Sequence, residues 1–419
     1  MFVVDAILAV AVIGSVAVLG YFSNIMFEKT RIPDSIWLIL FGLVVAWLGA
    51  LPSSGLLVFA PVLAAVALAV MSFEYGLRAD VSMFIRGLPR ASLLALLNVS
   101  FAMVIVGLLA HAFLGLDIVR SLLLGAILGG VNFTPVSGLL AKARMKDELK
   151  NFLYIEDVLS DTLSFIFATI FIGIYTLSGS TDLVQTISYG FGIGIAVGLV
   201  LGVIKLYTSS LTKGKPYGYI LTLGLAFLAY AITEWFNGNG IIGAMVYGLL
   251  LGSAKKLPRQ AGRMREFTAS PFLKKFYSEI SLFLRAFFLV TLGTIAIGTL
   301  NETWIWGILI LAALIIVRIP AVELALVGKS ATQQEMWLMK GMLPKDLGAI
   351  VLVLIAVSKG VTGFESLLGI VFIVIVGTVL YSTIVSYAVT RGQIASKAAK
   401  DYKYEKLAER KAWKKFGEK

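Results

Sequence analysis

NFLYIEDVLSDTLSF, residues 151–165, puts three carboxylates, Glu156, Asp157 and Asp161, inside a run apolar enough to cross a membrane. A charged side chain at the bilayer centre costs roughly 2.5–3.5 kcal/mol on insertion scales, so acids there are rare and mark an ion or proton path. Helical spacing sorts them. Asp157 and Asp161 are four apart and share one face, while Glu156 and Ser160 share the adjacent one.

The rest of the chain agrees with a membrane setting. Its 419 residues are 59% hydrophobic and 14% charged, with mean hydropathy +0.92. Long apolar runs separated by short charged connections predict an all-α polytopic membrane protein, because about 20 apolar residues cross the hydrocarbon core as a helix. Hydropathy predicts about thirteen spans. Their limits are near 3–27, 35–51, 55–73, 91–113, 119–140, 149–177, 184–208, 217–235, 239–254, 274–298, 303–327, 335–357 and 364–390. The first run has no basic leader and no small-residue cleavage site, and is expected to be span one rather than a cleaved signal. The absence of cysteine excludes thiol catalysis, disulfides and Cys-ligated metals. The single histidine, His111, ends an apolar run and reads as an interface residue, not part of a His-rich metal site.

A net charge of +12 would suggest nucleic acid in a soluble chain, but here its distribution follows the connections. Lys29 and Arg31, then Arg78, Arg86 and Arg90, then Lys142, Arg144, Lys146 and Lys150 occupy alternate connections. Lys213 with Lys215, the group from Lys255 to Arg265, Lys329 and the tail continue the pattern. Positive connections stay cytoplasmic, so the amino terminus is expected outside and the tail inside a cell membrane, as an odd number of spans requires. No linker interrupts residues 1–390, which are expected to form a single transmembrane domain. The basic tail, 391–419, carries Tyr402, Tyr404, Leu407 and Trp413 among its charges and reads as a solvated helix beside anionic lipid, not a nucleic-acid binder.

Two spans contain helix breakers at comparable depth: GGVNFTPVSG, 129–138, in span five, and KGMLPKDLGA, 340–349, in span twelve. Proline removes a backbone hydrogen bond and clashes with the preceding turn, and such a break is tolerated in lipid where the freed backbone lines a protein cavity. The two spans run in opposite directions, as expected for inverted repeats with a crossed pair of broken helices. Asn132 and Thr134 beside one break, and Lys345 with Asp346 beside the other, supply polar groups to such a cavity.

These residues suit a hard monovalent cation, which takes oxygen from carboxylate, hydroxyl and carbonyl groups. Asp161, Asp157, Ser160 and Thr134, with Glu156, Asn132 and carbonyls near Val131, are the candidate ligands. Protons and metal compete for a carboxylate held out of water, and one site that binds either but not both is an exchanger. Three unpaired charges in one helix would be prohibitive. Arg318, deepest of the in-span cations Arg285, Arg318, Lys340 and Lys345, is expected to bridge Glu156 and leave Asp157 and Asp161 to the cation. Arg285 lies nearer the cytoplasmic side, where it could reach water. Glu74 is expected to pair locally with Arg78, Asp5 and Glu234 to be solvated, and Glu323 is open in role.

The motifs, in order, resemble those of the monovalent cation/proton antiporters, particularly the NhaP branch. An ESxxND-type motif in span six is matched by 156–161, a TDP-type break by Phe133-Thr134-Pro135, and an arginine in an ARxxGV-like run by Arg318 in VRIPAV. A PRG or PKG break corresponds to Pro344-Lys345-Asp346, and KTRIPDSIWLILFGLVV and FEYGLRAD resemble the family's entry to span two and exit from span three. The resemblance implies an NhaA-like fold, with a dimerisation part beside a core that moves as an elevator, in a homodimer. It also implies that Asp161 is the essential carboxylate, that Glu156 and Arg318 form the buried bridge, and that Lys345 counters the helix-end dipoles at the crossing. Thr134 and Ser160 stand where the family has an Asp and an Asn that face each other, a coupled exchange for a hydroxyl pair; Asp157 is an extra acid. One exchanging carboxylate implies electroneutral exchange, and titration of Asp157 as well would allow two protons per cation. The expected activity is Na⁺ (or Li⁺)/H⁺ antiport without a cofactor, with K⁺/H⁺ antiport next and a proton-coupled organic-anion carrier a more distant alternative. An intramembrane aspartyl protease would need its acids on facing helices, whereas Asp157 and Asp161 share one.

Overall fold

The computed structural model describes residues 2–30, 32–49, 53–78, 89–136, 139, 145–176, 183–212, 218–254, 271–328 and 331–391. The basic tail beyond 391 and the side chains of Thr134, Arg78 and Asp5 lie outside the described residues.

Every regular element among the described residues is helical. In chain order they are α1 (Phe2–Thr30), α2 (Asp34–Trp47), α3 (Ser53–Arg78), α4 (Pro89–Leu114), α5 (Ile118–Ile127) and α6 (Asp147–Thr176). There follow α7 (Leu183–Thr212), α8 (Gly218–Trp235), α9 (Gly240–Gly252), α10 (Pro271–Ala325), α11 (Gln333–Gly341), α12 (Leu347–Ser358) and α13 (Leu368–Arg391). Among the described residues seven helices are individually long and apolar enough to cross a membrane, including Arg90–Leu114, Phe152–Thr176 and Leu368–Arg391. Caps set the starts of shorter ones. The Asp117 carboxylate accepts from Arg120 N at the head of α5, and Thr332 with Glu335 forms a reciprocal capping box on α11.

Spans five and twelve are broken where the glycines and prolines predict. α5 stops at Ile127, a single 3₁₀ turn covers Thr134–Val136, and an irregular stretch separates α11 from α12. Spans ten and eleven depart from expectation. They form one helical run of 55 residues, α10, with no loop at 299–302. A straight run would measure about 80 Å against a hydrocarbon core of about 30 Å. Arg285 and Arg318 would then stand about 50 Å apart. Both nevertheless reach the same break, Arg318 at the Met339 carbonyl and Arg285 at Asp346, so the chain doubles back between them. Between them only Asn301 and Glu302 are strongly polar, and the glycines of that stretch are Gly293, Gly298 and Gly307.

Close backbone approaches at glycine divide the helices into two groups, as small residues do where lipid supplies no hydrophobic drive. Gly42 and Gly293 press α2 onto the first half of α10, and Gly76 and Gly248 press α3 onto α9, which also packs on α7 and α8. In the second group Gly125 seats α5 on α4, both pack on α6, and Gly377 seats α13 on the second half of α10. The broken helix α5 belongs to this second group, and the break between α11 and α12 is tied to it by hydrogen bonds to Asn132 and to Thr378 and Ser382 of α13, while α12 also packs on α3 of the first group.

Candidate functional site

The two breaks meet. Asn132 N donates to Pro344 O at 2.9 Å, joining span five to span twelve through their irregular backbones. Carbonyls left without helical donors beyond α5 are collected by side chains. Lys345 Nζ donates to Gly130 O at 2.5 Å and to Gly129 O at 3.4 Å, and Asn98 Nδ2 donates to Gly129 O at 2.9 Å. An ammonium at the negative end of a helix is electrostatically favourable, so Lys345 occupies the position from which it offsets that end. Its own backbone N–H is held by Thr378 Oγ1 of α13 at 3.1 Å.

Span six presents its acids to this crossing. Phe133 N donates to Asp157 Oδ1 at 2.6 Å, and Val131 N donates to Ser160 Oγ at 3.1 Å. Asp161 Oδ2 accepts from Asn132 Nδ2 at 3.0 Å and from the Tyr75 hydroxyl at 2.9 Å. Asp161 Oδ1 lies over Gly130 and accepts no hydrogen bond from the described residues; a Cβ on that glycine would come within 2.7 Å of it. A small cavity lined by Asp161, Asn132, Gly130, Ser164, Lys345 and Asp346 opens beside this oxygen. All are buried or nearly so, and the cavity lies between the two breaks.

Five residues before Asp161 and so on a different face of α6, Glu156 is 0% exposed and is gripped by Arg318, also 0% exposed. Both guanidinium NH groups engage the carboxylate, with Nη2 to Oε2 at 2.8 Å, and Arg318 also donates to Met339 O at 3.2 Å and Asn98 Oδ1 at 3.4 Å. This fork links span eleven to span six, with Asn98 of span four as the third member.

A family model described as sodium/hydrogen exchanger, transmembrane, matches residues 14–390. The chain belongs to the sodium/hydrogen exchanger family. Among proteins similar to this chain is a K(+)/H(+) antiporter NhaP of Alkalimonas amylolytica, 27% identical over 59% of this chain and 43% of its own length. A Na(+)/H(+) antiporter ApNhaP of Aphanothece halophytica is 26% identical over 58% of this chain and 47% of its own. A K(+)/H(+) antiporter NhaP2 of Shewanella oneidensis is 26% identical over 75% of this chain and 54% of its own. The chain thus spans about half the length of the relatives named here. The solved structure of the sodium proton antiporter MjNhaP1 from Methanocaldococcus jannaschii superposes with TM-score 0.75 at 21% identity, covering 90% of this chain and 99% of that one. That likeness identifies the fold as the NhaA-like one of a multi-pass membrane protein.

Of the residues singled out by sequence, Glu156, Asp157, Ser160, Asp161, Asn132, Arg318 and Lys345 come together at the crossing. The Thr134 side chain lies outside the described residues, and with it the hydroxyl pair expected of Thr134 and Ser160. Arg285 is corrected: it is no snorkelling cation but 12% exposed and ion-paired with Asp34 at 3.2 Å and Asp346 at 3.0 Å. Glu234 is not simply solvated either, since it caps Gly240 N at 3.0 Å and pairs with Lys359 at 3.3 Å. Lys340 pairs with Glu323 at 2.5 Å, which gives that acid a role near the end of span eleven. Glu74 accepts from Ser281 Oγ at 3.2 Å, a contact to α10 that its own helix did not suggest. His111 Nδ1 meets Leu116 O at 2.7 Å, a helix-end contact. Sequence reasoning missed Tyr75, Asn98 and Asp34. A lone amide in the apolar LLNVSF run is a signal that could have raised Asn98, but Tyr75 and Asp34 are ordinary at helix ends.

Proposed function

We propose that this exchanger carries Na⁺, or Li⁺, in one direction and H⁺ in the other, with cation and proton taking turns on Asp161. The observation that carries the reading is the position of Asp161. One oxygen is held by Tyr75 and Asn132, while the other faces the cavity between the two breaks. A carboxylate fixed at one end and open at the other is oriented for an ion without being saturated by the protein. Asp157, Ser160 and Thr134 complete the proposed ligand set with backbone oxygen near Val131, and Asn132 orients it.

The remaining charges support a cation rather than an anion. Glu156 and Arg318 neutralise each other, and Lys345 is occupied with the carbonyls of Gly129 and Gly130. Neither cation is directed at an incoming organic anion. With Glu156 and Lys345 so engaged, one exchanging carboxylate supports an electroneutral cycle, and a second titrating acid, Asp157, would make it electrogenic. In the cycle proposed, the group of helices holding both breaks crosses against the other group as an elevator once Asp161 is neutralised by either ion. Residues 1–390 form this transmembrane unit, with dimerisation and core parts interleaved. We further propose a homodimer in the cell membrane, amino terminus outside and the basic tail, 391–419, cytoplasmic. K⁺/H⁺ exchange is the second reading, favoured by the names of two of the relatives above.

Transport in proteoliposomes under an imposed pH gradient tests this. Adding Na⁺, Li⁺ or K⁺ should collapse the gradient for the ion carried, and repetition under a clamped potential reports charge movement. Equal responses to all three and to a vesicle lacking protein would remove the proposal.

A further inference from the structure

The ion pairs around Arg285 are not used by the exchange site. Arg285 sits on the first half of α10, in the group containing α2, α3 and α9. Its Nη1 contacts Asp34 Oδ2 of α2 at 3.2 Å, within its own group. Its Nε contacts Asp346 Oδ2 at 3.0 Å, a Coulombic contact without the alignment of a hydrogen bond. Asp346 belongs to the other group: it heads α12, next to Lys345, and lines the Asp161 cavity. Ser35 Oγ, also on α2, donates to Asp346 Oδ1 at 3.4 Å. Asp346 therefore looks one way into the cavity and the other way onto the opposite bundle.

We propose that Asp34, Arg285 and Asp346 form a charge latch between the two bundles, and that Arg285 and Asp346 act as positioning residues for exchange. The latch holds the broken span twelve, and with it Lys345, against α2 in the conformation described, and it opens each time the bundles slide. This rests on the two-bundle exchange reading above, but its test does not require transport.

Three features make the triad a latch rather than simple charge burial. First, Arg285 is shared between two acids, one from each group, so losing Asp346 leaves Arg285 still paired with Asp34. The cost of opening is therefore lower than for an isolated buried pair such as Glu156 and Arg318. Second, the contact to Asp346 is unaligned, which again favours separability. Third, the partner residue adjoins Lys345, so displacement at Asp346 is transmitted through one peptide unit to the group that caps the crossing. Two further polar ties join the groups among the described residues: the Tyr75 hydroxyl reaches Asp161 from α3 and ends on the ion site itself, and Lys359 beyond α12 pairs with Glu234 of α8 at 3.3 Å, far from Lys345 in sequence.

The chain contains no cysteine, so single labels can be introduced without background. Leu48 at the outer end of α2 and Ile118 at the head of α5 are both exposed and lie one in each group. With spin labels at Leu48→Cys and Ile118→Cys, full-length protein in lipid should give a distance distribution dominated by one population. Arg285→Gln and Asp346→Asn should each raise a second population by about tenfold relative to the first, as expected when a few-kcal/mol tie between two states is weakened. The double variant should do no more than either single one, since the two remove one contact. Arg285→Lys should restore the parent distribution, and Glu323→Gln, which breaks a pair inside the second group, should leave it unchanged. Unchanged distributions in both Arg285→Gln and Asp346→Asn would overturn the latch, even if exchange is measured. A latch response without exchange of any cation would instead count against the transport reading alone.

Discussion

Removing one partner of the Glu156–Arg318 fork should damage the protein far more than removing both. Both groups are fully buried and the guanidinium is bidentate, so a single deletion strands a charge, at a cost of roughly 3–5 kcal/mol. Arg318→Gln also removes the donor from Met339 O and Asn98 Oδ1, adding about 1 kcal/mol and bringing the total to about 5. Glu156→Gln leaves those two contacts in place and should cost about 3 kcal/mol. The double variant strands no charge and loses only hydrogen bonds, about 2–3 kcal/mol, instead of the additive sum of about 8. At about 2 °C per kcal/mol, thermal unfolding of the purified protein should fall by roughly 10 and 6 °C for the single variants and near 5 °C for the double. The cycle is read from those shifts in one detergent at one scan rate, because such unfolding is often irreversible. Double-variant losses equal to the sum of the two single ones would refute the reasoning.

Three further outcomes follow from the geometry. Gly130→Ala would put a Cβ 2.7 Å from Asp161 Oδ1 and 3.1 Å from Ser164 Cβ, so the carboxylate must move; cation affinity in proteoliposomes should drop at least about tenfold with folding retained. Tyr75→Phe removes a charge-assisted hydrogen bond from ionised Asp161, worth roughly 1.5–3 kcal/mol. Protons then compete better, and the apparent cation KM at fixed pH should rise about tenfold or more, while an unchanged KM would dissociate Tyr75 from the site. Gly42→Ala drives a methyl into the α10 backbone at Val290, and should lower stability by roughly 1–3 kcal/mol without altering ion preference in the fraction that remains folded.

The helix breaks and the acids of span six were legible because lipid makes both costly. GGVNFTP, LPKD and an internal EDVLSD cannot sit in hydrocarbon without a cavity and a counter-charge, so sequence alone already paired Glu156 with Arg318, while the family resemblance implied Lys345 at a helix end. What it could not supply was lateral register. Tyr75, Asn98 and Asp34 are unremarkable on their own helices, and only their rotation toward α6 and α10 brings them to Asp161, Arg318 and Arg285. Arg285 was misjudged for the same reason, since depth along a span says nothing about which neighbour it faces. The turn between spans ten and eleven was drawn as a loop at 299–302, whereas the helical run continues through Asn301 and Glu302, with Gly298 and Gly307 on either side.

The central claim is that one carboxylate, Asp161, binds either cation or proton. Initial exchange rates in proteoliposomes, measured across cation concentration at a series of pH values, test it most directly, with Asp161→Asn as the inactive reference. Direct competition predicts that the apparent cation KM rises about tenfold for each unit of acidification once the site is mostly protonated, while the rate at saturating cation stays constant. A maximal rate that falls with acidification and cannot be restored by more cation, at unchanged KM, would place the proton on a different group and contradict the account.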